Sequence, residues 1–471
     1  MIVLAAFIVF MMGFLGVGLL SSRYSTGERN DYYLASRGIS PLFAGLSAVA
    51  TNNSGYMFIG VIGYTYTTGL PSIWLMIGWI LGDFCSSLFI HRRLREATER
   101  TNEASYAAVL SNWQGTKARH LQLVIALVGL VFLLAYASAQ MVAGSKALNV
   151  LLDWPTWLGA VLGAVMIALY CVAGGIRASI WTDVAQSIVM IGAMATLLIA
   201  SIVNKGGVAS VLNQLQHIPN YMNWVPADLL VPGIAGASLF IVSWAFAGLS
   251  VIGQPHIMVR FMALDSAAHM ARARLWYYLF FIAFYSSATA VGLVSRLYFG
   301  ESAFDAELAL PMMAQLLLPD ALVGLMLAGI FAATISTADS LVLSCSATLT
   351  HDLLPQRIET SRLIKSVTLA VTIAALLWAL LNQQSVFNLV IMAWSGMASA
   401  FAPLLIVLAL GRRPTQWQGI TMLSAGLGSA LLWRYLDWQA YVYEGMPGII
   451  AGLLVYGLTS ALLPRSTARQ A

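Results

Sequence analysis

Long apolar runs follow one another along nearly the whole chain and are separated by short polar segments. A helix that crosses the hydrocarbon core of a membrane needs about 20 mostly apolar residues. Thirteen runs meet this requirement, so the pattern predicts an all-α integral membrane protein with about 13 transmembrane helices. The runs lie at approximately 2–20, 40–65, 71–91, 121–150, 157–174, 181–203, 232–259, 274–298, 320–349, 363–381, 386–410, 417–436 and 446–463. The stretch 304–319 is too short to span a membrane and predicts an interfacial helix.

The first run predicts a retained transmembrane helix rather than a signal peptide. No basic residue precedes it, and it is longer than the apolar region of about 7–15 residues that signal peptides carry. We therefore count it among the spanning helices.

Basic residues mark one side of the predicted membrane protein. The chain has 24 Lys and Arg residues, and all of them except Lys146, Lys205, Arg296 and Arg434 fall in alternate loops, Arg260 included. Because cytoplasmic loops collect Lys and Arg, the pattern predicts an extracellular N-terminus and a cytoplasmic C-terminus in the cell inner (plasma) membrane. The same rule explains the net charge of +5, so the lipid bilayer is the expected surrounding and no nucleic-acid partner is expected.

The composition excludes a soluble enzyme. Hydrophobic residues make up 59% of the chain and charged residues 9%, whereas soluble domains carry about 25% charged residues. The loops are too short for an attached catalytic domain, and the sequence shows no nucleophile–base pair and no transition-metal motif. We expect a protein that is not an enzyme and binds no organic cofactor.

Three acidic residues lie inside apolar runs: Asp83, Asp183 and Asp339. A charged Asp at the centre of a spanning helix costs about 2.5–3.5 kcal/mol, so such residues usually face a cavity or bind an ion. Asp83 lies nearer the cytoplasmic end of its run, where it is expected to reach water. The other two acids are therefore the stronger candidates for a functional site.

Small and hydroxyl side chains accompany Asp339. In a helix, residues three and four positions apart share a face, so Ala333, Ser336, Thr337 and Ser340 form one stripe beside Asp339. Such a stripe is typical of close helix packing. It also supplies oxygen ligands, which hard cations such as sodium prefer. The residues alone leave both interpretations open.

Two runs contain helix-breaking segments in comparable places. Residues 48–56 include two adjacent Asn with Thr, Ser and Gly neighbours, and residues 247–255 end in Gly-Gln-Pro. Each segment lies in the first run of a group of five, at 40–203 and at 232–410, and the two groups enter the membrane from opposite sides. This layout is typical of secondary transporters with inverted repeats, although two unrelated kinks would give the same pattern. The remaining segments are 1–39, 204–231 and 411–471.

Four stretches resemble the sodium:solute symporter family, which includes the proline permeases and the sodium/glucose transporters. They are Asp-Tyr-Tyr-Leu-Ala-Ser-Arg-Gly at 31–38, Gly-Gly-Ile-Arg-Ala-Ser-Ile-Trp-Thr-Asp-Val-Ala-Gln at 174–186, Gly-Gln-Pro-His-Ile-Met-Val-Arg-Phe-Met at 253–262 and Ala-Ala-Thr-Ile-Ser-Thr at 332–337. The resemblance implies a LeuT-like inverted five-helix repeat with one helix before it and two after it. It also implies sodium-coupled import of a small-molecule solute by alternating access.

The resemblance further implies one or two sodium sites. The first would use backbone carbonyls of Ala50, Asn53 and Ala333 and hydroxyls of Ser336 and Thr337. A possible second cation site would lie beside Asp183, with Ser336, Asp339 and Ser340 as partners. Family members that use this site generally have a hydroxyl where Asp339 stands. Two carboxyl groups could bind sodium tightly, or one could carry a proton, because close like charges disfavour double ionisation.

By the same resemblance, the solute pocket would be lined by Asn52, Ser54, Tyr56, Tyr136, Gln140, Val251 and Gln254. Asn52 stands where proline permeases have an acidic residue, and Ala247 and Val251 stand where they have an aromatic pair. The pocket is therefore expected to be neutral and rich in hydrogen-bonding groups. An amino-acid-like solute is the first expectation, with a sugar or a carboxylate as alternatives. A solute sensor that acts with a separate partner, and a proton-coupled symporter, also remain open.

Overall fold

The computed structural model describes residues 1–24, 28–301, 304–354, 360–381 and 385–462. Within these ranges the regular secondary structure is helical, apart from an isolated β-bridge between Ile39 and Leu264. Arg357, Arg465 and Arg469, which entered the charge pattern, lie outside the described residues, as does the tail from Leu463 onward.

The α-helices of the described residues follow one another along the chain. They are α1 (Ile2–Ser21), α2 (Arg29–Leu34), α3 (Pro41–Gly55), α4 (Ile62–Thr68), α5 (Ile73–Thr101), α6 (Tyr106–Ser111), α7 (Arg119–Leu152), α8 (Thr156–Asn204), α9 (Val208–Gln216), α10 (Gly233–Leu249), α11 (Pro255–Met262), α12 (Met270–Phe299), α13 (Ala309–Leu317), α14 (Asp320–Ala347), α15 (Ser361–Leu381), α16 (Val386–Ala409), α17 (Gln416–Tyr435) and α18 (Gly445–Leu462).

Ten helical segments of the described chain are long and apolar enough to cross a membrane, as expected for a multi-pass membrane protein. Large apolar side chains on their outer faces are exposed, for example Val9 at 69%, Ile188 at 66% and Leu454 at 62%. Lipid is the solvent that makes such a surface stable. The short helix α13 lies within the stretch 304–319, and its interfacial position stays a prediction.

The fifth and sixth apolar runs form one long helix, α8, with a break at Gly175 (φ 56°, ψ −143°). A Cβ at this position would lie 2.5 Å from the carbonyl oxygen of Tyr32, so only glycine lets the segment before α3 approach. Just beyond the break, the Arg177 guanidinium donates a hydrogen bond to Asp31 at 2.6 Å. Two of the stretches that carry the family resemblance therefore pack against each other.

Helix α14 lies at the centre of the protein and packs against α8, α7, α1 and α3. All four residues of its small-residue stripe are fully buried, and so is Asp339. The stripe therefore faces other helices and not lipid, which makes both helix packing and ion binding physically possible there.

Candidate solute and cation site

Helix α3 breaks at Ser54 (φ 49°, ψ 178°), inside the segment whose composition predicted unwinding. The freed backbone groups find side-chain partners, as buried backbone groups must. The Gly55 N–H donates to Gln140 Oε1 at 2.9 Å, and the Tyr56 N–H donates to Ser54 Oγ at 3.1 Å. The Tyr136 hydroxyl, one turn before Gln140 on α7, donates to Ser54 Oγ at 3.2 Å. Four predicted pocket residues thus meet at this break.

The second break, between α10 and α11, also lies where the sequence predicted it. A 3₁₀ turn at Ser250–Gly253 leads to Gln254, whose backbone is extended (φ −102°, ψ 99°). Gln254 Nε2 donates to the carbonyl oxygens of Ser250 at 3.1 Å and Trp394 at 2.9 Å. Its side chain therefore holds the broken segment against α16. Val251 lies fully buried in the same turn.

Aromatic rings that the sequence did not single out complete the pocket. The Tyr136 ring lies 5.4 Å from the His256 ring and 6.3 Å from the Trp394 ring. The Tyr56 ring lies 5.4 Å from that of Phe387. His256 directly follows the Gly-Gln-Pro break, so its position in the sequence could have indicated that it lines the pocket. Phe387 and Trp394 on α16 lie in an ordinary apolar run, so nothing in their local sequence indicates a place in the pocket.

Several buried polar atoms around the two breaks have no hydrogen-bond partner among the residues that the structure describes. They include the Tyr56 hydroxyl, Gln140 Nε2, Gln254 Oε1 and both ring nitrogens of His256, besides side-chain atoms of Asn52 and Asn53. Leaving a buried polar group unpaired costs about 1–3 kcal/mol, so these atoms are the ones that a polar solute can satisfy. They include donors and acceptors, which suits a solute with both kinds of group.

Asn52 belongs to a different set of contacts. Its Nδ2 donates to the Tyr277 hydroxyl at 2.5 Å, and that hydroxyl donates to Asp83 Oδ2 at 2.7 Å. Asp83 is 0% exposed, so the expectation that it reaches water is wrong. Helix α12 covers it, because Tyr277 lies on the face that packs against α5. The Nδ2 of Asn52 is thus linked to α12 and α5, whereas Ser54 and Gly55 are bonded to Tyr136 and Gln140 on α7.

The residues predicted for the first sodium site come together between α3 and α14. Ser336 Oγ lies 3.4 Å from the Ala50 carbonyl oxygen and 3.2 Å from that of Ala333. Thr337 Oγ1 donates to the carbonyl oxygen of Thr51 at 3.0 Å. Asn53, the remaining predicted ligand, follows within the same turn and is fully buried. These carbonyl and hydroxyl oxygens are the donors that a hard cation prefers, so the residues fit sodium.

Arg260 lies among the residues predicted for the second cation site. The sequence placed it in a cytoplasmic loop, which is wrong: α11 continues past the end of the apolar run, and Arg260 is 0% exposed on it. Arg260 Nη2 donates to Ser179 Oγ at 2.7 Å and to Asp183 Oδ2 at 3.5 Å. Nε donates to Ser47 Oγ at 3.3 Å, and Nη2 also contacts Ser340 Oγ.

Asp339 completes this cluster from α14. Its Oδ1 accepts hydrogen bonds from Ser179 at 2.9 Å and from Ser340 at 3.0 Å. The two deeply placed acids, Asp183 and Asp339, therefore converge as the sequence predicted. What the sequence missed is the Arg260 guanidinium, which contacts Asp183 directly and is linked to Asp339 through Ser179.

An ion-paired turn closes one end of the protein. Glu307, in the turn before α13, is bonded to the first residues of α16: its Oε1 accepts from Ser385 Oγ and from the Phe387 N–H, both at 2.8 Å, and its Oε2 accepts from the Val386 N–H at 3.1 Å. Lys146 Nζ on α7 lies 2.5 Å from the same carboxylate. An anionic side chain is stabilised at a helix N-terminus, so this contact joins three elements firmly. The Phe387 ring below it stacks on Tyr64 at 4.8 Å.

The other end of the protein has a cavity that leads toward the second break. It is lined by residues of α2, α6, α7, α11 and α14, among them Tyr33, Tyr106 and Pro255. Beside it, the Glu103 carboxylate lies 3.0 Å from His351 Nε2. This hydrogen bond is the main reason why the pKa of Glu103 is lowered. Tyr56 is thus covered by Phe387 at the Glu307 end, and the cavity beside Pro255 lies at the Glu103 end.

Known proteins are similar to this chain in sequence and in fold. Residues 32–419 match the model of the sodium:solute symporter family. The chain is 31% identical to the high-affinity proline transporter PutP of Bacillus subtilis (strain 168), over 93% of each chain. It is 30% identical to the sodium/proline symporter of Escherichia coli (strain K12), over 97% of this chain and 92% of that protein.

Two solved structures show the same architecture at low sequence identity. A Na⁺-coupled sialic acid symporter superposes with a TM-score of 0.82 at 18% identity, covering 98% of both chains. Mhp1, a nucleobase-cation-symport-1 family transporter, superposes with a TM-score of 0.60 at 14% identity, covering 91% of this chain and 94% of that one. Since the family model covers most of the chain and the fold agrees, the chain belongs to the sodium:solute symporter family.

Proposed function

We propose that the protein is a sodium-coupled symporter that imports a small zwitterionic amino acid, with proline as the first solute to test. One arrangement carries the proposal. The break at Ser54 lies one helical turn from the Ala50 carbonyl, so the polar pocket and the oxygen cluster share one unwound segment. The names of the relatives, which transport proline, support the choice of solute.

The sodium ligands in this proposal are the carbonyl oxygens of Ala50, Asn53 and Ala333 and the hydroxyls of Ser336 and Thr337. Bound sodium supplies a positive charge whose inward movement gains about 2.3 kcal/mol per 100 mV of membrane potential. The two hydroxyls, which contact α3 carbonyls, hold the unwound segment against α14. Because the same segment carries Ser54 and Tyr56, its position on α14 also sets the shape of the solute pocket.

The unpaired polar atoms indicate how an amino acid would be oriented. Gln140 Nε2 and the Tyr56 hydroxyl are donors for a carboxylate, and Gln254 Oε1 is an acceptor for an ammonium group. The rings of Tyr136 and Trp394 enclose the space beside them, which suits a small apolar side chain. Ala247 and Val251 add apolar surface from the broken α10 segment, while Asn52 acts through Tyr277.

The proposed topology has thirteen spans, with the N-terminus outside and the C-terminus in the cytoplasm. Residues 40–203 and 232–410 form the two inverted repeats, preceded by 1–39, joined by 204–231 and followed by 411–471. In this orientation the Glu307 turn closes the extracellular side and the cavity faces the cytoplasm. Alternating access then requires the contacts of Glu307 with α16 to break when the pocket opens outward.

Uptake by proteoliposomes tests the proposal. We expect an inward sodium gradient to drive accumulation of radiolabelled proline or another small amino acid. Ser336→Ala combined with Thr337→Ala removes two contacts to a charged group, about 1.5–3 kcal/mol each, so sodium affinity falls at least about a hundredfold. The matched control is Thr196→Ala with Ser287→Ala, whose hydroxyls donate to carbonyl oxygens one turn earlier in their own helices.

Two results would overturn the proposal. One is a wild-type protein that shows no sodium-stimulated uptake of any amino acid, and the other is a double variant that keeps normal sodium dependence. Sodium-linked solute binding without uptake would instead indicate a sensor.

A further inference from the structure

We propose that Asp83 is a proton-binding site: its carboxyl group carries a proton while the solute pocket is closed, and solute binding is thereby linked to pH. Asp83 lies on α5, outside the residues predicted for sodium and for the solute. It is 0% exposed, and an acid inside a spanning helix usually binds an ion or takes part in proton transfer. The link to solute binding rests on the proposed transport function, whereas the proton site itself does not.

The hydrogen bonds of Asp83 leave one carboxyl oxygen free. Its Oδ2 accepts from the Tyr277 hydroxyl at 2.7 Å, and its Oδ1 has no hydrogen-bond partner among the residues that the structure describes. The Tyr278 hydroxyl lies beside the carboxyl group and is also unpartnered within these residues. A proton on Oδ1 can be donated to the Tyr278 oxygen, so one proton satisfies both groups. An ionised carboxylate has room for about four hydrogen bonds, of which only the one from Tyr277 is made.

The helices that cover Asp83 supply no charge to pair with it. Helices α10 and α16, which pack against α5, carry no charged residue. The α10 backbone approaches α5 closely at this level, since a Cβ on Gly248 would lie 2.6 Å from the Asp83 backbone nitrogen. Little room is left for water on this side of the acid.

The nearest charged and titratable groups are engaged elsewhere. Arg274 on α12 donates to an α5 carbonyl oxygen one turn beyond Asp83, and Arg260 on α11 bonds to side chains of α3, α8 and α14. His91, two turns beyond Asp83 on α5, stacks on the Phe261 ring at 4.1 Å. An ionised Asp83 would therefore be a buried charge without an ion-pair partner in the described part of the chain. Such a charge is strongly disfavoured, and a proton removes it.

Tyr277 connects this acid to the unwound segment of α3. Its hydroxyl accepts a hydrogen bond from Asn52 Nδ2 at 2.5 Å, and Asn52 lies just before the break at Ser54. Raising the pH favours the ionised carboxyl group, which the closed arrangement does not accommodate, so the closed form loses population. Solute affinity should then fall as pH rises, by at most about tenfold per pH unit for one linked proton.

Infrared difference spectra of the purified protein test the proton site directly. We expect the wild type at neutral pH to show the C=O stretch of a protonated carboxyl group that Asp83→Asn lacks. The control Asp228→Asn removes an exposed acid from a loop and is expected to keep this band. Tyr277→Phe removes the hydrogen bond that stabilises the carboxylate, so the band should persist to a higher pH than in the wild type. Equal carboxyl bands in wild type and Asp83→Asn, or loss of the band in Tyr277→Phe, would overturn the inference and leave transport intact.

The dissociation constant for radiolabelled proline, measured against pH at saturating sodium, tests the link to solute binding. We expect it to rise with pH in the wild type and in Asp228→Asn, and this rise to be lost in Asp83→Asn. The same pH dependence with and without the Asp83 carboxyl group would refute the link. Wild-type protein that binds no proline at any pH would count against the proposed solute, and the infrared bands would still decide the proton site. If Asp83→Asn does not fold, Tyr277→Phe decides, because its affinity should begin to fall at a higher pH than that of the wild type.

Discussion

Glu307 offers a direct test of how the closed end of the transporter is held. The substitution Glu307→Gln keeps the size of the side chain but removes its charge. The wild-type carboxylate accepts hydrogen bonds from Ser385, Val386 and Phe387 at 2.8–3.1 Å and faces Lys146 at 2.5 Å. In the variant, an amide NH₂ replaces one carboxylate oxygen. Because this group is itself a donor, it cannot accept the hydrogen bonds that α16 or Lys146 donates to that oxygen.

The structure sets the size of the effect. A hydrogen bond to a charged group contributes about 1.5–3 kcal/mol, and the Glu307 side chain is only 8% exposed, so water replaces little of what is lost. A net loss of about 2–3 kcal/mol changes the ratio of open to closed molecules by about 30- to 150-fold. A closed state that dominates in the wild type would then coexist with a measurable open population.

Spin-label distances can detect this change. Labels at Thr67, near the C-terminal end of α4, and at Asn388, near the start of α16, lie on the two sides of the contact, because the Glu307 turn packs against Gly63. The background replaces Cys85, Cys171 and Cys345 by Ala. We expect Glu307→Gln to raise the long-distance population in double electron–electron resonance. The control Glu301→Gln removes a charge from a side chain that is 85% exposed and is expected to change nothing. Identical distance distributions for wild type and Glu307→Gln would refute the reasoning.

Two further predictions concern stability in detergent. Gly175→Ala is expected to destabilise by at least about 1–3 kcal/mol, because φ is 56° and the new Cβ would lie 2.5 Å from the Tyr32 carbonyl oxygen. Gly163→Ala, with nothing within 4 Å, is the control, and equal unfolding temperatures would contradict the prediction. Because the bond to His351 lowers the pKa of Glu103 below 4.5, its stabilisation is complete above about pH 4.5 and is lost as pH falls through the lowered pKa. Melting temperatures of wild type and Glu103→Gln should therefore converge in acid, and a constant difference would count against the assignment.

Local sequence features predicted much of this molecule. The length of the apolar runs predicts where the helices lie. In a membrane, backbone N–H and C=O groups need hydrogen bonds that a helix supplies within itself, so an apolar run of spanning length has few other conformations. The breaks at Ser54 and Gln254 follow from residues that disfavour a helix, and these act within a single turn. The length of an apolar run underestimates the length of the helix where the helix continues through a buried polar residue. Arg260 was therefore assigned to a loop although α11 continues to Met262.

The partners of the buried polar groups could not be predicted in this way. Arg260 and Asp183 are 77 positions apart, and Asn52 and Tyr277 are 225 apart. Nothing in their local sequence indicates that they touch, because such contacts depend on how α3, α8, α11, α12 and α14 pack.

The sequence by itself thus determined that the chain is a membrane protein. It also located the helix breaks at Ser54 and Gln254, and it identified Asp183 and Asp339 as acids inside apolar helices. Only the tertiary structure decided that the Arg260 guanidinium contacts Asp183 and is linked to Asp339 through Ser179, and that Asn52 is linked to Asp83 through Tyr277. The physical reason is that hydrophobicity and helix propensity act over a few neighbouring residues, whereas the pairing of buried charges is fixed by the approach of distant helices.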